Sequence, residues 1–287
     1  MVTSTRAGMA AKQFRIGIVA PASRIEAALA ERVSEIARVL YSDRVELFFH
    51  PQCYLSSGHF AGDDAARAEA FLEVANDPAI GALWVARGGY GAGRILEHVL
   101  PNLRAPAHAK TYVGYSDAGF ILGALYANGY SQVAHGPMPA DLTREGGEAA
   151  VARALSFIVD RAPQSLEPSL SGSVRAAAFN MTILSHLLGT PYAPDLEGHV
   201  LMLEEVSEHM YRIDRSLFHI TSNPGIRKVA GIRLGRCSAI PPNDPEFGRT
   251  EEDVAEYWCE RAGIAYLGRA DIGHDSDNKV VPFGLMR

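Results

Sequence analysis

Cysteine is scarce in this chain of 287 residues, which contains only Cys53, Cys237 and Cys259. The three are odd in number, far apart and never spaced as Cys-x-x-Cys. The sequence therefore offers neither a disulfide framework nor a cysteine-based zinc or redox motif. Free cysteines of this kind are typical of a reducing compartment, so we expect a cytoplasmic protein.

Positive charge and long apolar runs are also in short supply. The formal net charge is −6 and no long basic run occurs, which argues against nucleic acid as the main partner. No segment approaches the roughly 18 consecutive apolar residues of a membrane-spanning helix. The residues before Phe14 lack the apolar stretch of a signal peptide, so we expect none, and without a spanning helix we expect no membrane association. Apolar residues still make up 47% of the chain, enough for a sizeable core.

The usual metal and cofactor motifs are missing as well. His-Glu-x-x-His does not occur, and no His, Cys and acidic residues cluster at ligand spacing, so we expect no metal and no cofactor. The glycine-rich run at 86–94, Ala-Arg-Gly-Gly-Tyr-Gly-Ala-Gly-Arg, fits neither the dinucleotide pattern nor the Walker pattern. Its glycines allow a sharp turn that presents bare N–H groups to an anion. The run is either a plain tight turn or one arm of an oxyanion hole.

Short apolar runs alternate with amphipathic segments over the first 160 residues. We predict strands at 15–20, 44–49, 80–86, 110–116 and 131–138, and helices at 25–40, 63–77, 117–128 and 145–160. A capping box from Ser23 to Glu26 is predicted to start the first helix. Alternation of this kind predicts an α/β fold with a parallel sheet, covered on both faces, that binds ligands at the carboxyl ends of its strands.

The segment 160–174 interrupts this alternation with two prolines, four serines and a glycine. We interpret 161–175 as a linker between one domain at 13–160 and a second at 176–287. In the second domain we predict helices at 179–188, 209–223 and 250–263, and strands at 199–206 and 229–237.

The run Gly-Tyr-Ser-Asp at 114–117 places Ser116 where a predicted strand turns into a helix. Ser116 can simply cap that helix, as serine often does. Alternatively, the turn presents its hydroxyl as a nucleophile at a helix N-terminus, where free N–H groups favour negative charge. The G-x-S-x-G motif of ordinary α/β-hydrolases is not met, because Ala118 stands where the second glycine belongs. In the nucleophile interpretation, the N–H of Asp117 points to a developing oxyanion.

A serine nucleophile needs a base that a third group holds in place. His135 ends the next predicted strand and His274 lies in a polar turn near the end of the chain, and spacing alone decides neither. Glu204, Glu205 and Glu208 are candidate acids, although all three can equally be surface charges. On a strand, Glu204 and Glu205 face opposite ways, so one of them can point to a histidine.

Several motifs occur together in a familiar order. They are GIVAPAS (17–23), RGGYGAGRIL (87–96), GYSD (114–117), HGPM (135–138), LLGTPY (187–192), LMLEEVSEHMYRIDR (201–215) and a late Gly-His before VPFG (281–284). This set resembles the LD-carboxypeptidase family of serine peptidases, which also contains the microcin C self-immunity peptidases. The likeness covers about residues 15–284.

The resemblance implies a Rossmann-like N-terminal domain with a parallel sheet and a smaller mixed α/β C-terminal domain. It also implies a Ser-His-Glu triad assembled between them from Ser116, His274 and Glu204. This chain has Glu205 where the family has aspartate, so either acid can serve. A motion of the linker could separate Ser116 from His274 in the absence of substrate.

The same resemblance implies oxyanion or substrate contacts from the glycine-rich turn and the nucleophile turn. Their residues are Gly88, Gly89, Tyr90 and Asp117, of which Asp117 and the two glycines contribute backbone N–H groups. Arg87 and Arg175 are candidates, by charge alone, for binding a terminal carboxylate.

The implied activity is that of a cytoplasmic LD-carboxypeptidase that removes the terminal D-alanine from murein tetrapeptides in cell-wall recycling. The reaction proceeds through an acyl-enzyme without a cofactor, and the enzyme is expected to be a homodimer. One alternative is a microcin C-type immunity peptidase, which the short chain disfavours. Another is a small-molecule-binding protein without turnover, and a third places His135 as the base.

Overall fold

The structure is a computed structural model that describes residues 13–285. Its strands are β1 (Phe14–Val19), β2 (Val45–Phe49), β3 (Ala82–Val85), β4 (Thr111–Gly114), β5 (Val133–His135), β6 (Arg175–Asn180), β7 (His199–Val206), β8 (Gly231–Ser238), β9 (Tyr266–Arg269), β10 (Val281–Pro282) and β11 (Gly284–Leu285). Its helices are α1 (Ala27–Tyr41), α2 (Asp64–Asn76), α3 (Leu96–Val99), α4 (Gly119–Ala127), α5 (Gly147–Asp160), α6 (Met181–Leu187), α7 (Met210–Ser222) and α8 (Glu251–Ala262).

The first sheet has six strands in the order β10-β5-β4-β3-β1-β2. Strands β1 to β5 are parallel, and β10 joins the edge antiparallel to β5. The order 2-1-3-4-5 is that of a doubly wound sheet, in which the crevice for a ligand opens where the winding changes direction, at the carboxyl ends of β1 and β3. The loop after β4 begins at the same edge.

Alternating side chains give this sheet two buried faces. Ile16, Ile18 and Trp84 pack with α1 and α5 on one face, whereas Val19 and Val85 pack with α2 and α4 on the other. A period of two is what a pleated strand requires. Because both faces are covered, the strands read as nearly continuous apolar runs.

The second sheet has five strands in the order β11-β6-β7-β8-β9, parallel apart from β11. The predicted fold class is therefore confirmed: an α/β protein with a Rossmann-like parallel-sheet unit and a smaller mixed α/β unit. The predicted division of the chain at 13–160, 161–175 and 176–287 stays a prediction. Val281 and Pro282 cross back to pair with β5 of the first sheet.

Helix α4 lies between the two sheets and packs closely on α6. A Cβ atom at Gly123 would lie 2.6 Å from Leu187 of α6 and 3.2 Å from the Phe179 ring of β6. Any larger residue at position 123 would require the Leu187 side chain to move. Because α4 follows the Ser116 turn directly, this contact sets the position of the turn relative to the second sheet.

Two local predictions fail. The capping box of Ser23 and Glu26 does not form, because α1 begins at Ala27 and the Glu26 carboxylate pairs with Arg24 instead. Ser23 is buried against the glycine-rich turn, where it meets Gly89. Strand β6 was not predicted: it overlaps the last residue of the predicted linker at Arg175 and the start of the helix predicted at 179–188, and its sequence Arg-Ala-Ala-Ala-Phe-Asn is poor in β-branched residues.

The predicted linker is packed against the segment that follows β9. Leu166 pairs with Val280 in a parallel bridge, and the Glu167 amide donates to the Val280 carbonyl at 3.0 Å. The Glu167 carboxylate accepts the Asp271 amide at 3.1 Å. These contacts tie the linker to the loop that carries His274.

Candidate active site

Ser116 sits in a strained turn between β4 and α4. Its φ of +59° is a left-handed conformation that non-glycine residues rarely adopt, as expected where a sharp turn lifts a side chain out of the fold. Ala118, not Ser116, occupies the N-cap position of α4. The Ser116 hydroxyl instead donates a hydrogen bond to the imidazole of His274. The simple capping interpretation of Ser116 is therefore wrong.

His274 joins Ser116 to a buried carboxylate. Its Nε2 lies 3.0 Å from Ser116 Oγ, and its Nδ1 lies 2.5 Å from Glu204 Oε2. A carboxylate can only accept, so Nδ1 carries the proton and Nε2 is left to accept from the hydroxyl. Glu204 is fully buried and His274 is 7% exposed. The three side chains form one continuous series across the two sheets.

Glu205 has different partners from Glu204. Its carboxylate accepts from the Asn180 side chain at 2.6 Å and from the Thr182 amide and hydroxyl at 2.9 and 2.8 Å. Asn180 in turn caps α6 by accepting the Ile183 amide. Glu205 thus fixes the start of α6, and Glu204 is the acid beside the imidazole.

The environment of His274 favours its charged form. Burial lowers the pKa of the imidazole, but the charge and hydrogen bond of Glu204 raise it by more, so the pKa lies above its ordinary value. An imidazole whose charged form is stabilised can take the proton of an attacking hydroxyl.

His135 makes a structural hydrogen bond and does not hydrogen-bond to Ser116. Its ring is buried, and its Nε2 donates to Asn278 Oδ1 at 3.0 Å, an oxygen that also accepts the Gly273 amide. Burial lowers the pKa of His135, which favours the neutral form of the ring. The rival assignment of His135 as the base lacks the hydroxyl contact that His274 makes.

The glycine-rich turn lies directly against Ser116. A Cβ atom at Gly88 would be 3.0 Å from Ser116 Oγ, and Gly89 has a φ of +116°. Within residues 13–285, the amides of Gly88 and Gly89 donate to no other group. The buried Asp117 carboxylate accepts the Ala92 amide at 2.8 Å and so ties this turn to the serine turn.

A cleft of about 760 Å³ opens over these groups. Its wall contains Gly88, Gly89, Ser116, Met138 and His274. A volume of this size is ordinary for a small-molecule or short-peptide site.

Other predicted contacts divide between the cleft and the surface. Arg87 lines the cleft, whereas Arg175 begins β6 at the end opposite to Asn180, the residue that pairs with Glu204. Tyr90 lies outside the cleft wall, 56% exposed, with its ring on Phe60.

Arg144 lines the cleft too, and the sequence did not single it out. The position of Arg144 depends on a tertiary contact with the His274 backbone, so no local sequence motif predicts it.

The separated arrangement of Ser116 and His274 that a mobile linker would allow is not seen, since their side chains are within hydrogen-bonding distance. In the same structure the predicted linker residues Leu166 and Glu167 bond to Val280.

Across the described part of the chain, no group of three His, Cys, Asp or Glu side chains is arranged as a metal site. None of the helices in residues 13–285 has the length and apolar character needed to cross a membrane.

Family models match both halves of the chain. The LD-carboxypeptidase N-terminal domain matches residues 16–136, and the LD-carboxypeptidase C-terminal domain matches residues 175–287. A murein tetrapeptide carboxypeptidase of Pseudomonas aeruginosa is 27% identical over 293 residues, which cover 94% of this chain and 91% of that protein.

Solved structures share the fold. A muramoyltetrapeptide carboxypeptidase from Oxalobacter formigenes superposes with a TM-score of 0.76 at 24% identity, over 94% of this chain and 95% of that one. The microcin C7 self-immunity protein MccF superposes with a TM-score of 0.78 at 17% identity, over 96% and 92% of the two chains. With both domain models matched in order along the sequence, the chain belongs to the LD-carboxypeptidase family of serine-type carboxypeptidases.

Proposed function

We propose that Ser116 is the nucleophile, His274 the general base and Glu204 the acid that orients the base. One observation carries the proposal: a single hydrogen-bonded series runs 3.0 Å from hydroxyl to imidazole and 2.5 Å from imidazole to carboxylate. Unrelated hydrolases activate a serine with the same series of groups.

The reaction then proceeds in two halves. Ser116 Oγ attacks the carbonyl carbon before the terminal residue while its proton passes to His274 Nε2, and Glu204 stabilises the imidazolium. The amides of Asp117 and of Gly88–Gly89 donate to the oxyanion. The imidazolium gives its proton to the departing amine, which leaves an ester on Ser116. Water, deprotonated by the imidazole, hydrolyses that ester and frees the serine.

The substrate that we propose is a murein tetrapeptide, from which the enzyme removes the terminal D-alanine in cell-wall recycling. The proposal is supported by membership of the LD-carboxypeptidase family and by the name of the Pseudomonas aeruginosa relative. A cleft of about 760 Å³ is large enough for the end of such a peptide.

Location and assembly are part of the same proposal. We propose a cytoplasmic enzyme, in agreement with the three free cysteines. We also propose a homodimer, and the exposed apolar side chains of Val39 and Leu40 on α1 are candidates for its interface. Light scattering of the purified protein would give a mass of twice 30.9 kDa if the dimer forms, and 30.9 kDa if it does not.

Mass spectrometry of a tetrapeptide digest tests the activity. The wild-type enzyme is expected to shorten the peptide by one alanine and release free D-alanine, and Ser116→Ala is expected to release none. Cleavage at another bond, or release by Ser116→Ala at the wild-type rate, would exclude the proposal.

The second candidate is an immunity peptidase that cleaves an aminoacyl-linked nucleotide. It is favoured by the TM-score of 0.78 to MccF, which is evidence of fold alone. Incubating the enzyme with the murein peptide and with an aminoacyl nucleotide in parallel separates the two, since the true substrate class is turned over faster. A protein that only binds small molecules would turn over neither.

A further inference from the structure

Arg144 is a cation on the wall of the catalytic cleft, next to His274. It follows the turn Pro139–Thr143, lines the cleft with Ser116 and has 39% of its side chain exposed. Its Nε donates to Asp141 Oδ1 at 2.9 Å, and its Nη1 donates to the backbone carbonyl of His274. These two bonds fix the plane of the guanidinium before any ligand binds.

Most of the donors of this guanidinium are left for a ligand. A guanidinium has five N–H donors, and two are used in the bonds to Asp141 and His274. The Asp141 carboxylate is shared, because it also accepts the Tyr115 hydroxyl at 2.6 Å and the Met138 amide at 2.8 Å. A pre-oriented guanidinium at a cleft is well suited to bind a planar carboxylate.

Arg144 lies on the side of the cleft where the leaving group departs. In the proposed reaction His274 gives its proton to the leaving amine, and the carboxylate of that residue is only two bonds from the amine. A cation that binds this carboxylate must therefore be near the imidazole, where Arg144 is bonded to the His274 backbone. Arg87, by contrast, precedes Gly88, whose Cβ would touch Ser116 on the oxyanion side.

We propose that Arg144 binds the α-carboxylate of the residue that is released, and thereby restricts the enzyme to the last bond of a peptide. The inference rests on the proposed function, since it assigns the leaving-group site of that reaction. A substrate whose terminal carboxylate is replaced by an amide loses the ion pair and leaves the guanidinium unmatched.

The test compares the tetrapeptide with its C-terminal amide. Wild type is expected to prefer the acid on the order of 10- to 100-fold in kcat/KM, the range of a charge-assisted hydrogen bond. Arg144→Gln is expected to bring that ratio near one, mainly by slowing the acid. The matched variant Arg87→Gln removes the other arginine of the cleft and is expected to keep the ratio.

Three results would overturn the inference. Equal use of acid and amide by wild type is the first, and collapse of the ratio in Arg87→Gln is the second. The third is an equal loss on both substrates in Arg144→Gln, which would mean that the guanidinium only positions Asp141 and His274. Arg144→Lys, which keeps the charge, is expected to retain part of the preference.

Binding measurements separate this inference from the proposed function. In Ser116→Ala, calorimetry with the two peptides is expected to give tighter binding of the acid, and Arg144→Gln in that background removes the difference. If wild type releases no D-alanine but still binds the acid more tightly than the amide, the proposed function is excluded and the inference on Arg144 stands. Equal binding of both peptides, or no binding of either, would exclude the inference on Arg144.

Discussion

Glu204 and Glu205 are adjacent in β7, yet their carboxylates bind in different places, Glu204 at the His274 imidazole and Glu205 at the start of α6. Successive side chains of a strand point to opposite sides, so one strand supplies a carboxylate to the imidazole of His274 and another to a helix N-terminus. Both side chains are buried. The adjacent acids therefore make a matched pair of variants.

Replacing each acid by glutamine should separate catalysis from stability. Glu204→Gln is expected to lower kcat by about 10⁴, because the imidazole loses the carboxylate that sets its tautomer and stabilises its charge. Glu205→Gln should leave kcat/KM within about threefold but lower the free energy of unfolding by about 1–3 kcal/mol, since buried hydrogen bonds to Thr182 and Asn180 are impaired. Steady-state kinetics and urea unfolding measure the two effects, and an exchange of effects between the variants would contradict the assignment.

The pH dependence of kcat/KM should report the raised pKa of His274. The base must be neutral, and its pKa lies above the ordinary value, so activity should fall on the acidic side of a midpoint above about 6.5. In Glu204→Gln the carboxylate is gone and burial dominates, so the midpoint should move to lower pH while the rate falls. A midpoint that stays in place would show that Glu204 does not set the pKa of His274.

Asp117→Asn should lower the activity and raise the free energy of unfolding at neutral pH. Burial raises the pKa of Asp117 to about 6, against the opposing effect of the Ala92 and Gly91 amides. A raised carboxyl pKa means that the native state binds a proton more readily than the unfolded state does. The ionised group therefore costs stability as pH rises through about 6. The variant avoids that cost, so its advantage over wild type in free energy of unfolding should grow between pH 4 and pH 8.

The activity of Asp117→Asn should fall by roughly 10², because an amide oxygen holds the glycine-rich turn less firmly and the oxyanion donors shift. Denaturant curves at pH 4 and pH 8, together with kinetics at pH 8, give both quantities. A variant that is less stable at pH 8 and fully active would contradict this account of Asp117.

The first half of the fold could be predicted from the sequence because each strand and each helix there follows one local sequence pattern. Strands β3, β4 and β5 are short, fully buried runs, β1 is buried from Ile16 onward, and β2 is a half-buried edge strand. Helices α1, α2, α4 and α5 occupy the predicted helical segments. Strand β6 was missed because three alanines at 176–178 have no strong strand preference. The sheet pairing with β7 decides their conformation. The two-residue strands β10 and β11 exist only through their partners β5 and β6.

The candidate site was readable in part. Ser116, Glu204 and His274 were assigned from the resemblance to the LD-carboxypeptidase family, and the structure brings their side chains together from both sheets. The choice between Glu204 and Glu205 required the direction of β7. Arg144 could not be found, since its contact with the His274 backbone joins segments 130 residues apart.

Labelling with a serine-directed phosphonate, followed by peptide mapping, asks whether Ser116 is the nucleophile that His274 activates. We expect a single label on the peptide that contains Ser116, absent in Ser116→Ala, strongly slowed in His274→Gln and little changed in His135→Gln. A label on another serine, or undiminished labelling of Ser116→Ala, would contradict this role of Ser116.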